Sequence, residues 1–412
     1  MSTKSQVSKT TAQPGSAEFQ LGSDPDGNGV ISQTGDMAEI HGTSAPEYSK
    51  LGELLSSTIN NGKDVGASVS VTVDGETVVD IWGGWADEDK TTPWSEDTIV
   101  NVWSTTKTMT FLSALVLAER GTLNFHEKVA TYWPEFAQNG KADIEVRHLM
   151  GHTSGVSAWE QPVTTEDIYD WEKSTSMLAA QAPWWTPGEG SGYHALNQGH
   201  LIGEVIRRID GRMLGDFFAE EIAQPLDADF HIGLDPAEFA RVSNVIPPPP
   251  LDFDLAALDP NSVLIKTFTG PAPAAEEAWT PQWRQACIGA ANGHGNARSV
   301  ARIQAIVANG GTVDGVSLLS ADTIQMIFEE QAHGVDQVLG LPVRFGMGYA
   351  LHSEAVPYLP EGNYAYWGGW GGSSIIVDID RKISFAYVMN RMDEGLLGDL
   401  RGINLAQEVF KR

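Results

Sequence analysis

Ser104 and Lys107 stand three residues apart in Val102-Trp103-Ser104-Thr105-Thr106-Lys107-Thr108-Met109-Thr110-Phe111-Leu112, at the head of an apolar run. On a helix, residues three apart share a face. A lysine amine held against a serine hydroxyl, and kept from full protonation, takes the hydroxyl proton. The result is a nucleophile for acyl transfer that needs no histidine. The pair alone is weak evidence, because 29 serines and 12 lysines in 412 residues give about one such spacing by chance. The chemistry also needs a further proton-handling group and N–H donors for an oxyanion.

Tyr193 is the candidate for the first. It follows the loop Trp185-Thr186-Pro187-Gly188-Glu189-Gly190-Ser191-Gly192 and precedes Leu201, Ile202, Val205, Ile206 and Ile209 at helical spacing. A tyrosine at a loop-to-helix junction reaches a cleft, and nearby ammonium groups are expected to pull its phenol below the usual value of about 10, toward phenolate. For the oxyanion the candidate is Tyr364-Ala365-Tyr366-Trp367-Gly368-Gly369-Trp370-Gly371-Gly372-Ser373, ahead of a strand. Glycines let a backbone approach a ligand closely. The backbone amides of Ser104 and Trp370 are the expected donor pair. Trp159, Trp184, Trp185, Trp279, Trp283 and Trp370 are expected to wall an apolar pocket for acyl or alcohol groups. The His152-Thr153-Ser154-Gly155 loop, His294 and Arg298 read as structural, with Asn296 capping the helix that follows. Glu166 reads as a surface residue.

The elements that must carry these residues follow from periodicity. A helix is expected from Pro46 to Asn60, with Leu51, Leu54, Leu55 and Ile59 inward. Two alternating runs, Ala67–Val73 and Glu76–Trp82, flank Asp74-Gly75 and predict a β-hairpin. The helix beginning at Ser104 stops at Gly121. Between about 130 and 285 lie short helices and loops rich in Trp and Pro, with Pro247-Pro248-Pro249-Pro250 a stiff segment. Helices are expected over Ala297–Asn309, from Ser320 to about Glu329, and over 394–410. Strands Ser374–Ile379 and Ile383–Met389 precede the last of these. With β elements at both ends of the chain, the expected fold is α/β (α+β): an antiparallel sheet assembled from both termini, flanked by helices, with an inserted mainly helical region. Residues 1–36 are expected to be a disordered tail. Residues 37–412 then form one domain, with an α/β part at about 37–130 and 285–412 and a helical and loop region at about 131–284.

Composition narrows the partners. A net charge of −28 opposes nucleic acid and anionic membrane surfaces. It fits solubility, or adaptation to high salt. No run of about 18 uncharged apolar residues predicts a membrane span, and no apolar stretch follows the N-terminal lysines as in a secretory signal. One cysteine, Cys287, excludes a disulfide framework and a cysteine metal cluster. No metal site or cofactor is implied, and the expected location is cytoplasmic.

Further segments fall in order: Tyr132-Trp133-Pro134-Glu135-Phe136, Arg147-His148-Leu149-Met150-Gly151-His152-Thr153-Ser154-Gly155, Pro187-Gly188 before Tyr193, Asn292-Gly293-His294-Gly295-Asn296-Ala297-Arg298-Ser299, and Phe345-Gly346-Met347-Gly348. With Ser104-Thr105-Thr106-Lys107, they make about residues 40–412 resemble the serine β-lactamase and penicillin-binding-protein superfamily. Within it, the chain most resembles the family VIII carboxylesterases, relatives of class C β-lactamases. The resemblance implies a serine β-lactamase/DD-peptidase-like fold, Ser104 as acylated nucleophile, Lys107 as its base, and Tyr193 as the tyrosine of a Tyr-x-Asn motif. It places Trp367, Gly368 and Gly369 where lactamases carry Lys-Thr-Gly, so these three and Trp370 would border the substrate. Two departures matter: Ala195 stands in place of the asparagine, and Trp367-Gly368 in place of lysine and threonine. Both remove groups that would recognise lactams and peptides. They direct the expectation to a small-molecule carboxylic ester, cleaved by a serine carboxylesterase. Amide hydrolysis of the β-lactamase or D-aminopeptidase kind, acyl transfer to an alcohol, and non-catalytic binding on the same fold are the alternatives.

Overall fold

Asp74 and Gly75 both take positive φ, 51° and 90°, the geometry a two-residue hairpin turn needs to follow strand twist. In this computed structural model, which describes residues 20–23, 29–32, 38–250 and 259–411, that hairpin lies near the middle of an eleven-stranded antiparallel sheet. Its strands are Gln20–Ser23 (β1), Gly29–Ser32 (β2), Ile40–Ser44 (β3), Gly66–Val73 (β4), Glu76–Gly84 (β5), Ala332–Val335 (β6), Pro342–Phe345 (β7), Ala350–Leu351 (β8), Tyr364–Gly368 (β9), Ser374–Asp378 (β10) and Ile383–Met389 (β11). Their order is β1-β2-β3-β5-β4-β11-β10-β9-β8-β7-β6. The β4–β11 pair, in register from Val73↔Ile383 to Ala67↔Met389, joins the two ends of the chain as expected.

Helices Lys50–Asn60 (α1), Lys107–Glu119 (α2), Gln198–Asp210 (α3), Ala297–Ala308 (α4) and Leu400–Phe410 (α5) frame the sheet. α1 and α5 pack together and against β4, β5 and β11, while α4 packs on β4, β10 and β11. α2 is buried from Lys107 to Leu117, so its apolar character extends round the whole helix rather than along one stripe. Asn296 caps α4 as expected, its Oδ1 accepting from Ser299 N–H at 2.9 Å. α5 starts later than the expected 394. Gly398 has φ of 91° and Asp399 is the N-cap, and glycines at 395 and 398 disfavour helix before that point. Two short strands fall within the segment expected to be a tail. β1 and β2 pair with each other, and β2 pairs with β3 through Gly29↔Ser44 and Val30↔Thr43. The apolar pair Val30-Ile31 is the signal there. The rest of that tail lies outside the described residues. Between β5 and β6 in the chain, short helices accompany a small sheet of Ile99–Asn101, Phe230–Ile232, Val242–Ser243 and Gly293–Gly295. Among the described residues no helix is long and apolar enough to cross a membrane.

Candidate active site

Ser104 lies on a 3₁₀ turn, Trp103–Thr106, that runs directly into α2. A 3₁₀ turn nearly eclipses residues three apart, which brings Lys107 Nζ to 3.1 Å from Ser104 Oγ. Two backbone carbonyls take the other amine positions, Ala195 O at 2.7 Å and Ala290 O at 2.9 Å. Lys107 is fully buried, and burial holds its amine well below the usual lysine value. A neutral amine has two N–H groups and one lone pair. With both N–H groups on carbonyls, the lone pair faces the serine hydroxyl. Tyr193 completes the group, its Oη donating to Ser104 Oγ at 2.6 Å. Lys107 Nζ lies 4.8 Å from the Tyr193 ring centre.

The protonation of Tyr193 differs from the sequence expectation. Burial pushes the phenol above its ordinary value, outweighing the bond to Ser104. Burial that holds the Lys107 amine low also works against an ammonium field that would stabilise a phenolate. At rest the tyrosine is therefore a proton donor.

The turn bearing Ser104 is held by distant segments. Gly293 O accepts from Val102 N–H, and Gly293 N–H donates to Thr106 Oγ1, both at 2.9 Å. Asn292 Oδ1 accepts from Ile288 N–H at 3.0 Å and steadies the strand of chain that presents Ala290 O. From the opposite side, Ser373 Oγ donates to Val102 O at 2.7 Å and meets Thr105 Oγ1 at 2.9 Å. Trp103, next to the serine, has φ of 48°. For a bulky residue this conformation costs about 1–3 kcal/mol and persists only where packing enforces it. Its ring packs between Trp283 at 5.4 Å and Trp370 at 4.9 Å. Nothing in the sequence marked Trp103 beyond its position before Ser104.

Both expected oxyanion donors are available. Ser104 N–H belongs to a first helical turn, where backbone donors lack intrahelical acceptors. Among the described residues, Trp370 N–H has no acceptor. Gly369 brings the two segments together: a Cβ there would lie 2.2 Å from Val102 O, 2.4 Å from Ser373 Oγ and 3.3 Å from Ser104 N. Gly369→Ala should therefore push the Trp370 loop away from Ser104 and lower kcat by about 10² or more. Steady-state kinetics, with circular dichroism to check folding, would show this; near-normal kcat would mean that Trp370 N–H is not a donor.

The tryptophans divide. Trp370 is half-buried beside Trp103. Trp185 packs against Gly192 and edge-on to His194, 6.3 Å away, next to Tyr193. Trp184 donates to Glu160 at 2.9 Å and lies under Lys266 Nζ at 4.1 Å. Trp159, Trp283 and Trp279 of the expected wall, and Trp367 and Gly368 of the residues expected to border the substrate, are placed otherwise. Trp159 is fully buried, donates to Ser174 O and packs on His200. Trp283 is fully buried behind Trp103 and donates to Asn101 Oδ1 at 3.0 Å. Trp367, 1% exposed, packs against Tyr193 and stacks on His152, supporting the tyrosine from behind. Gly368 is covered by the Leu397–Gly398 backbone. Trp279, 42% exposed, lines a separate cleft of about 470 Å³ with Pro93, Val245 and Ile246, which includes none of Ser104, Lys107 and Tyr193. His294 is buried and donates through Nδ1 to Asn292 O, and Arg298 donates to Glu96.

The chain matches the family model described as beta-lactamase over residues 53–408. It is 33% identical over 363 residues to the esterase/beta-lactamase LipL of Mycobacterium tuberculosis, covering 86% of this chain and 83% of that one. A crystal structure of a family VIII carboxylesterase superposes with a TM-score of 0.85 at 38% identity, over 90% of this chain and 99% of that one. A penicillin-binding-protein homologue from Caulobacter crescentus gives a TM-score of 0.84 at 33% identity, with the same coverage.

Proposed function

The chain belongs to the beta-lactamase family, and on that premise we propose that it is a serine carboxylesterase that forms its acyl-enzyme on Ser104. The observation that carries this reading is the meeting of three side chains at one oxygen: Lys107 Nζ at 3.1 Å and Tyr193 Oη at 2.6 Å from Ser104 Oγ.

The proton inventory closes around that oxygen. Lys107 takes the Oγ proton as Oγ attacks the ester carbonyl, whose oxygen settles between the Ser104 and Trp370 amides. Tyr193, a phenol at rest, gives its proton to the departing alkoxide. The acyl-enzyme then faces a lysine ammonium and a tyrosine phenolate, a pair of opposite charges that stabilise each other in a dry site. In deacylation the phenolate takes a proton from water as the hydroxide oxygen attacks the acyl carbon. The ammonium returns a proton to Ser104 Oγ as that bond breaks. All three groups end as they began.

Ester specificity follows from what is missing. Trp367 places a buried indole where a lysine would meet a lactam or peptide carboxylate. Ala195 offers a carbonyl to Lys107 and no amide side chain to a substrate. The substrates proposed are small carboxylic esters with an apolar portion accommodated near Trp185 and Trp370. Paired assays with p-nitrophenyl butyrate and nitrocefin test this: the ester should turn over at least about 10²-fold faster. Comparable nitrocefin turnover would make amide hydrolysis the leading activity, as the esterase/beta-lactamase designation of LipL allows for that protein.

A further inference from the structure

Tyr193 is carried on a stretch outside any helix or strand, residues 191–194, that is held from two sides by groups far away in sequence. On one side, Gly192 N–H donates to His152 O and His194 N–H donates to His152 Nδ1, both at 3.0 Å. On the other, Ser191 O accepts from Gln337 N–H at 2.9 Å and Tyr193 N–H donates to Asp336 Oδ1 at 3.0 Å. The three successive N–H groups of Gly192, Tyr193 and His194 thus alternate between His152 and Asp336. The N–H groups of Tyr193 and His194 end on side chains, whereas that of Gly192 ends on a carbonyl.

Asp336 lies just past β6, fully buried, and its Oδ1 accepts two further N–H groups, from Val338 and Leu339, each at 2.9 Å. One oxygen thus ties the β6–β7 turn to the backbone of Tyr193. His152 is fully buried too, and burial keeps its imidazole neutral, which leaves Nδ1 free to accept. Its ring lies 5.1 Å from that of Tyr193.

We propose that Asp336 is a positioning residue for the reaction: through Tyr193 N–H it holds the phenol at Ser104 Oγ, with His152 as the opposing grip. The proposal rests on the role assigned to Tyr193 above. A displacement of about 1 Å at a reacting group costs up to about 10² in rate, so one hydrogen bond to the backbone of the proton donor has kinetic weight.

A double-mutant cycle between Asp336 and Tyr193 tests it, with p-nitrophenyl butyrate as substrate. Asp336→Ala should lower kcat about 10-fold or more while KM stays within about threefold. Asp336→Asn keeps an acceptor oxygen in place and should restore kcat to within about threefold of the original. Tyr193→Phe alone should cost about 10² or more. Adding Asp336→Ala to Tyr193→Phe should cost less than about threefold further, because the group being positioned is already gone. Where Asp336→Ala does not accumulate as folded protein, Asp336→Ser takes its place in the cycle. A loss that is the same in both backgrounds would overturn the positioning role and leave Asp336 as a turn-former. Near-normal turnover by Tyr193→Phe would instead overturn the reading of Tyr193, and the positioning role with it.

Discussion

Ser104→Ala is expected to lower ester turnover by about 10⁴ or more, the usual scale for deleting a nucleophile that acts as a unit with its base. The fold should survive. Ser104 contributes little packing volume, and its turn is held by Val102, Thr105 and Thr106 through Gly293 and Ser373, none of which touches Oγ. What the hydroxyl does contribute is an acceptor for the Tyr193 phenol. Leaving that buried group without a partner costs about 1–3 kcal/mol, a shift of a few degrees in Tm. Kinetics with p-nitrophenyl butyrate, thermal melting, and intact mass after exposure to a slow ester should therefore separate. Turnover and the acyl adduct disappear while the melting transition stays close to its original position. Turnover within about tenfold of the original would sink the whole acyl-enzyme scheme.

How much of this was legible in the sequence follows from the range of the interactions. The Asp74-Gly75 hairpin, the Asn296 cap and the Ser104–Lys107 pair are local, so their spacing encodes them. The order of motifs pointed to one family and so to the sheet closed by β4 and β11. The state of Tyr193 is not legible in the sequence, because it depends on burial and on a lysine whose amine burial holds well below its usual value. The tryptophans show the same limit. Trp159 and Trp283 have the composition of a pocket wall, yet each indole N–H finds an internal acceptor and each ring goes inward. Asp336 carried no signal at all. Its partner Tyr193 is 143 residues away, and nothing around it in sequence distinguishes it from many other acidic residues.

Lys107→Met is expected to match Ser104→Ala in effect, with the double variant no slower than either, since nucleophile and base act as one unit. The variant also reveals the charge state on which the mechanism turns. In the wild type, kcat/KM should fall as pH drops through the lowered value of Lys107, because only the neutral amine accepts the serine proton. Tyr193 should impose no alkaline loss below about pH 10, since burial holds its phenol above the ordinary range. Stability carries the same information with a definite sign. The unfolded chain binds a proton on Lys107 below about pH 10.5, whereas the folded chain does not until far lower. The wild type therefore loses stability from this group as pH falls across that window, and Lys107→Met does not. The two carbonyls of Ala195 and Ala290, left without their donor, cost about 1–3 kcal/mol each at every pH. They offset the two curves without changing the slope between them. Urea unfolding of both proteins from pH 6 to 10 should show the stability difference, variant minus wild type, growing steadily toward low pH. Parallel curves would mean that the amine stays protonated inside the protein, and a protonated Lys107 cannot be the base for Ser104.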